Sequence, residues 1–198
     1  MLLRLFLALL RTVGAAPAAG SMEPSELVRE RSHAVLDASA TRREEFRADP
    51  AALRGFGKSQ RNGVMDRPYA AQLVLARYAR GASAQQIQAF ADALTDTLLR
   101  RYADALRDAD AGTDVRIAAT TPLRDGQIVR VASRIVRRAG EPVQVDYMYR
   151  RKGDAWLVFD VIVEGISYVQ TYRNQFDEIL RTRNLDTVIE DLRSGQIQ

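Results

Sequence analysis

Two consecutive strand-like segments, at 143–150 and 156–163, constrain the fold of this chain more than any other feature. In the first, apolar residues alternate with polar ones, as expected for a sheet with one wet face. In the second, both alternating sets are apolar, namely Trp156, Val158 and Ile162 in one and Leu157, Phe159, Val161 and Val163 in the other. A strand that is apolar on both faces must be covered on both sides. We therefore predict that other elements pack over each face of this strand.

The chain has 198 residues, enough for one domain of ordinary size with a buried core. Its beginning combines an early arginine, an apolar run over 5–10 and small residues at Ala16 and Ala18. This pattern is typical of a secretory signal peptide. We predict a signal peptide over 1–21, and hence export, followed by a single domain over 22–198.

The formal charge is +4, from 29 Lys and Arg residues against 25 Asp and Glu residues. The predicted signal peptide holds Arg4, Arg11 and no acid, so the remainder carries 27 basic against 25 acidic residues. Most arginines stand beside acids, as in 42–45. Nucleic-acid binding needs clustered cationic contacts to phosphate, so we predict no nucleic-acid partner.

Apolar residues recur at helical spacing before and after the strand-like segments. Before them, we predict helices from Glu23 to Arg47, after Asp49, from Met65 to Gly81, and from Ser83 to Leu106. The last of these begins with a capping box formed by Ser83 and Gln86. After them, we predict two helices from the stripes Ile166, Val169, Tyr172, Phe176, Ile179, Leu180 and Leu185, Val188, Ile189, Leu192.

Between the helices, four segments have strand patterns, and turns that contain glycine separate them. The predicted strands are Val115–Ala118, Ile128–Val136, Val143–Arg151 and Ala155–Val163. Short turns between successive strands indicate an antiparallel meander. The sequence thus predicts the α+β class, with a four-stranded antiparallel sheet wrapped by N-terminal and C-terminal helices.

The sequence offers few residues for catalysis or metal binding. It has no cysteine and one histidine, His33, which excludes thiol nucleophiles, cysteine-based metal sites and paired histidine ligands. It also lacks a G-x-S-x-G nucleophile motif and a G-x-x-x-x-G-K phosphate loop. We predict no enzyme, no cofactor and no metal.

Asp160 allows a different interpretation, because it interrupts the apolar pattern of the last long strand. A carboxylate beside a hydrophobic pocket can act as a base, which leaves a small-molecule enzyme as an alternative. We favour an ion pair between Asp160 and Arg134 or Arg150 on a neighbouring strand, since buried charges are usually paired. Glu164 is expected at the strand end, partly exposed.

Aromatic residues concentrate in the last two predicted strands and the following helix, at Tyr147, Tyr149, Trp156, Phe159, Tyr168 and Tyr172. A plain core is the default explanation for such a set. Together with the two-faced strand, however, it offers more apolar surface than one packed layer needs. A cavity for an apolar ligand is the hypothesis that follows.

The same region resembles a known family. The residues that carry the resemblance are Trp156, Val158, Asp160, Val161, 163–167 (Val-Glu-Gly-Ile-Ser), 172–176 (Tyr-Arg-Asn-Gln-Phe), Ile179 and Leu180, with 90–106, 122–126 and 142–147 upstream. They are similar to the signature of MlaC-type proteins, the toluene-tolerance auxiliary family of lipid transport systems. The similarity covers roughly Asp66 to Leu192, and it departs at Ala76, where many relatives have glycine.

This resemblance implies an NTF2-like, MlaC-like fold that holds phospholipid in a hydrophobic cavity between sheet and helices. It implies a periplasmic carrier, with a role in outer-membrane lipid asymmetry. The implied partners are an outer-membrane lipoprotein complex and the MCE-domain subunit of an inner-membrane ABC transporter. A carrier of hopanoid or another polycyclic lipid is the alternative within the same superfamily.

The two-faced strand and the resemblance together suggest which residues form the site. We predict that the acyl chains contact Leu94, Leu98, Val145, Tyr147, Trp156, Val158, Val163, Val169 and Tyr172. The head group would stay near the mouth, close to Arg134 or Arg150. The sequence leaves open which face of the sheet lines the cavity.

Overall fold

The computed structural model of the chain describes residues 22–49, 51–52, 55–56, 63–107 and 113–197. For residue 47 and residues 102–107 it describes the backbone alone. The predicted signal peptide over 1–21 and part of the short helix predicted after Asp49 lie outside the described residues.

The described part begins with two helices, α1 (Pro24–Thr41) and α2 (Arg43–Ala48). The periodicity predicts one continuous helix here, and the difference arises at Arg42, whose φ of −110° and ψ of 20° interrupt the helical backbone. Helix α1 lies against β1 and β2 of the sheet, and its Val28 is buried there.

Two longer stretches of helix follow. Helix α3 (Arg67–Leu75) continues into a 3-10 helix (Ala76–Arg80), and α4 covers Ala84–Arg107. The predicted capping box of α4 is confirmed, because the Gln86 N–H donates to Ser83 Oγ at 3.1 Å while the Ser83 N–H donates to Gln86 Oε1 at 3.0 Å. The side chain of Asp66 caps α3 by accepting the N–H of Tyr69.

The sheet contains five strands in the order β1-β2-β3-β4-β5, with each neighbouring pair antiparallel. Their bounds are β1 (Asp114–Leu123), β2 (Ile128–Val136), β3 (Val143–Lys152), β4 (Ala155–Val163) and β5 (Ile166–Ser167). The predicted meander is therefore confirmed, with one short strand added. Strand β1 runs five residues further than predicted and includes Pro122, which an edge strand tolerates.

A β-bulge in β4 changes which of its side chains share a face. Val161 lies opposite Tyr147, but Val158 lies opposite Tyr149, so Phe159 is an extra residue in the pairing. Directly opposed residues share a face, which places Val158 on the same face as Val161 and Val163. The strict alternation assumed from the sequence was wrong for this reason.

Helices α5 (Tyr168–Ile179) and α6 (Leu185–Ser194) complete the fold. Two hydrophobic cores result. The helical core joins α3, α4, α5 and α6, with Phe90 and Phe176 fully buried, and the sheet core joins α1 to β1, β2, β3 and β4, with Val131 fully buried. Among the described residues, no helix is both long and apolar enough to span a membrane.

Candidate functional site

A pocket of about 410 Å³ lies where the end of β4 and the adjacent turn meet α4 and α5. Its lining residues come from both the helical and the sheet part of the fold: Arg101, Val163, Glu164, Ile166, Tyr168, Thr171, Tyr172 and Gln175. The volume falls within the range of about 300–1,000 Å³ that is usual for small-molecule sites.

The pocket has an apolar floor and a largely polar rim. Tyr172, which is 4% exposed, and the half-buried Val163 form the floor. Arg101, Glu164 and Thr171 are exposed at the rim. A few polar groups around an apolar interior are typical of sites that orient a largely apolar ligand.

Helix α5 contributes half of the lining residues because of its periodicity. Tyr168, Thr171, Tyr172 and Gln175 are spaced i, i+3, i+4 and i+7, which places them on one face of a helix. Ser167 fixes the start of this helix, since its Oγ accepts the N–H of Gln170 at 3.0 Å.

Asp160 supports the same helix start, and it pairs with no arginine among the described residues. Its Oδ2 accepts a hydrogen bond from Ser167 Oγ at 2.6 Å, and its Oδ1 accepts the N–H of Val169 at 3.0 Å. The predicted ion pair with Arg134 or Arg150 was wrong, because the N–H groups at the N terminus of α5 and the hydroxyl that caps it satisfy this carboxylate instead.

Neither predicted head-group arginine lines the described pocket. Arg150 Nε donates to Asp66 Oδ2 at 2.7 Å, and its guanidinium lies 4.0 Å from the centre of the Tyr69 ring. Since Asp66 is only 2% exposed, this contact compensates a buried charge. Arg134 is exposed on the sheet, opposite Gln144.

Of the nine residues predicted to contact acyl chains, Val163 and Tyr172 line the described pocket. On the helical side, Leu94 is buried in the core, while Leu98 and Val169 are half-buried against it. On the sheet side, Trp156 and Val158 are buried in the core and Tyr147 packs partly buried against it.

Val145 completes the predicted set, and it is 4% exposed. The pairings of β3 with β4 place Val145 opposite Val163 and Tyr147 opposite Val161, on one face of the sheet. The strand residues predicted for the site therefore share a face, which the bulge extends to Val158.

The two β3 tyrosines on this face sit in a strongly desolvated environment. Burial raises the pKa of Tyr149, and it raises the pKa of Tyr147 in spite of a hydrogen bond with Ser32 that lowers it. Both hydroxyls therefore favour the neutral form in the folded protein.

Sequence reasoning missed the polar rim because it followed apolar residues. Arg101 follows Leu98 by about one helical turn on α4, so the two side chains lie on the same side of the helix. Helical spacing could therefore have predicted that Arg101 lies beside the apolar stripe. Thr171 and Gln175 share a helical face with Tyr172 in the same way. Glu164 is exposed in the turn after β4, as predicted.

The sequence profile described as MlaC protein matches residues 29–194 of this chain. The chain belongs to the MlaC family. The resemblance found in the sequence is thereby confirmed, and it extends through most of α1.

Two curated relatives cover most of the chain. The MlaC binding protein of the intermembrane phospholipid transport system in Haemophilus influenzae is 23% identical over 157 residues, which are 78% of this chain and 73% of that protein. Toluene tolerance protein ttg2D of Pseudomonas putida is 24% identical over 165 residues, which are 82% of this chain and 75% of that protein. Neither relative bears the name of an enzyme.

The MlaC-like fold is also confirmed by a solved structure. A phospholipid-binding protein from Ralstonia solanacearum, determined at 1.53 Å in complex with a phospholipid, superposes with a TM-score of 0.80. The superposition covers 88% of this chain and 98% of that chain at 22% sequence identity.

Proposed function

We propose that this chain is a periplasmic lipid carrier that shields the acyl chains of a phospholipid between its helical and sheet cores. The observation that carries the proposal is the pocket between β4 and α5, with Val163 and Tyr172 at its floor. Family membership and the names of the relatives support a phospholipid as the cargo.

Physical chemistry explains why such a carrier is needed. Burying two sixteen-carbon chains is worth roughly 25 kcal/mol, at about 0.8 kcal/mol per methylene. A phospholipid therefore cannot cross an aqueous compartment unshielded. A carrier has to replace most of this burial without greatly exceeding it, because a lipid held much more tightly than in a bilayer would not be delivered.

The acyl chains would extend from the pocket along the apolar residues between the two cores. The predicted contacts at Leu98, Val145, Tyr147 and Val169 fit this path, because they lie on the helical and sheet elements that flank the pocket. Incomplete burial of Leu98, Tyr147 and Val169 leaves apolar surface for a ligand to cover.

Protein partners would determine the direction in which the lipid is transferred. The sequence contains no nucleotide-binding phosphate loop, so an energy source has to lie elsewhere. The proposed partners are an outer-membrane lipoprotein complex and the MCE-domain subunit of an inner-membrane ABC transporter. Export by the predicted signal peptide over 1–21 would place the carrier between them.

Organic extraction and mass spectrometry of the protein purified from the periplasm tests the cargo. We expect phospholipid masses at close to one molecule per chain. A polycyclic lipid would contradict the phospholipid assignment, and protein that neither carries lipid nor takes it up from vesicles would contradict the carrier function itself.

A transfer experiment tests the shuttle. Chain loaded with fluorescent phospholipid is mixed with the isolated MCE-domain subunit, and the lipid on each protein is measured after separation. Lipid should move to the MCE subunit and not to an unrelated lipid-free protein of similar size. Equal transfer to both would contradict a specific partnership.

A further inference from the structure

The rim of the pocket carries two opposite charges. Arg101 reaches it from α4, and Glu164 reaches it from the turn between β4 and β5. Both residues are exposed, whereas Tyr172 beneath them is buried. A ligand whose apolar part contacts Tyr172 and Val163 therefore presents its polar end to a cation and an anion.

The turn holds Glu164 in an unusual backbone conformation. Its φ is +49°, in the left-handed region, and it precedes Gly165 in a two-residue turn. Turns of this kind favour Asn, Asp or Gly at such a position, and a residue with a longer side chain costs about 1 kcal/mol there. The backbone conformation alone therefore does not favour glutamate at this position.

Hydrogen bonds to β3 fix the position of the Glu164 carboxylate. Its Oε1 accepts the N–H of Gln144, and its own N–H donates to the Gln144 carbonyl oxygen at 3.0 Å. A carboxylate has lone pairs on two oxygens, so this bond leaves further acceptor capacity toward the pocket. The charge at this side of the rim is therefore positioned by the sheet.

We propose that this rim recognises a zwitterionic, amine-bearing phospholipid head group. The Arg101 guanidinium would bind the phosphodiester, and the Glu164 carboxylate would bind the protonated amine. A guanidinium has five N–H donors, so Arg101 can keep a protein contact and still bind phosphate. This inference rests on the proposed carrier function and adds a head-group preference to it.

The size of the pocket fits this assignment. About 410 Å³ is near the lower end of the small-ligand range and suits a head group, the adjoining glycerol and the first part of the acyl chains, while the rest of the chains would extend between the two cores. The polar side chains of Thr171 and Gln175 lie at the same pocket and can contact the ester and glycerol oxygens.

Competition between two lipids tests the proposal. Lipid-free protein is incubated with vesicles of equimolar phosphatidylethanolamine and phosphatidylglycerol, re-isolated, and its bound lipids are quantified by mass spectrometry. The wild-type chain should bind more phosphatidylethanolamine than phosphatidylglycerol. In Glu164→Gln that ratio should fall at least threefold, because the amide keeps an acceptor for the Gln144 N–H but loses the charge.

Glu141→Gln is the matched control, since Glu141 is exposed in the turn between β2 and β3 and does not line the pocket. It should keep the wild-type ratio. Arg101→Gln should lower the binding of both lipids, because both contain the phosphodiester.

The outcomes separate the two proposals. Lipid uptake with the same ratio in wild-type chain and Glu164→Gln would overturn the head-group assignment and leave the carrier function standing. A wild-type chain that takes up neither lipid would overturn the carrier function, and the head-group assignment with it.

Discussion

Ser167 Oγ donates a 2.6 Å hydrogen bond to Asp160 Oδ2 while it accepts the N–H of Gln170. One hydroxyl thus joins the last long strand to the cap of α5, the helix that supplies half of the pocket lining. The carboxylate also accepts the Val169 N–H, so Asp160 is a structural anchor for the site.

Replacement of Asp160 tests this role. Asp160→Ala leaves the Val169 N–H and the Ser167 hydroxyl without their acceptor, which should lower the free energy of unfolding by about 2 kcal/mol. Urea unfolding measures the change, and Asp154→Ala in the exposed turn between β3 and β4 is the control, with an expected change below about 0.5 kcal/mol. Similar losses in both variants would contradict the anchoring role.

The backbone of Ala76 adopts a conformation that favours glycine. Its φ is +50° at the end of α3, a region that only glycine adopts without strain. Ala76→Gly should raise the free energy of unfolding by about 0.5–1 kcal/mol, because relief of strain exceeds the entropy that glycine loses on folding. Ala79→Gly, inside the 3-10 helix, should lower it by a similar amount. Destabilisation by both variants would contradict this explanation.

The buried tyrosines of β3 predict how stability depends on pH. Burial raises the pKa of Tyr149 and Tyr147 above the ordinary value. Below about pH 9 both tyrosines are protonated in the folded and in the unfolded chain. They therefore cause no change in the free energy of unfolding with pH in that range. Above about pH 10 the unfolded chain releases them first, and the free energy of unfolding should fall by up to about 1.4 kcal/mol per pH unit for each tyrosine.

Urea unfolding of the wild-type chain and Tyr149→Phe between pH 8 and pH 11 measures this effect. The variant lacks one titrating hydroxyl, so its stability should decrease less steeply above pH 10. Equal slopes for the two proteins would contradict the desolvated position of Tyr149.

The main elements of the fold could be predicted because their signals are local. The apolar stripe of α4 and its capping box at Ser83 lie within one helix, and the turns between strands contain glycine. The break at Arg42 and the two-residue strand β5 were not predicted, because features of one or two residues are too short to produce a periodic pattern in the sequence.

The bulge at Phe159 could not be derived from the sequence of β4 alone. Val158 N donates to Val64 O, and Val158 O accepts the N–H of Asp66, so a segment almost one hundred residues earlier pairs with β4 beside the bulge. The alternation of side chains along a strand predicts which face each one lies on only while the pairing with the neighbouring strand is continuous. The partners of Asp160, in contrast, lie only seven and nine residues away, and capping rules applied to Ser167 would have suggested them.

Val163 allows the most direct test of lipid binding between the two cores. Val163→Trp fills the floor of the pocket, and Leu123→Trp adds the same side chain at an exposed position at the end of β1. Both purified variants and the wild-type chain are freed of lipid, incubated with phospholipid vesicles and re-isolated, and bound phospholipid per chain is measured. We predict close to one bound phospholipid per chain for the wild type and for Leu123→Trp. A folded Val163→Trp should bind at least fivefold less phospholipid per chain. Full loading of Val163→Trp, or no loading of the wild-type chain, would contradict the account.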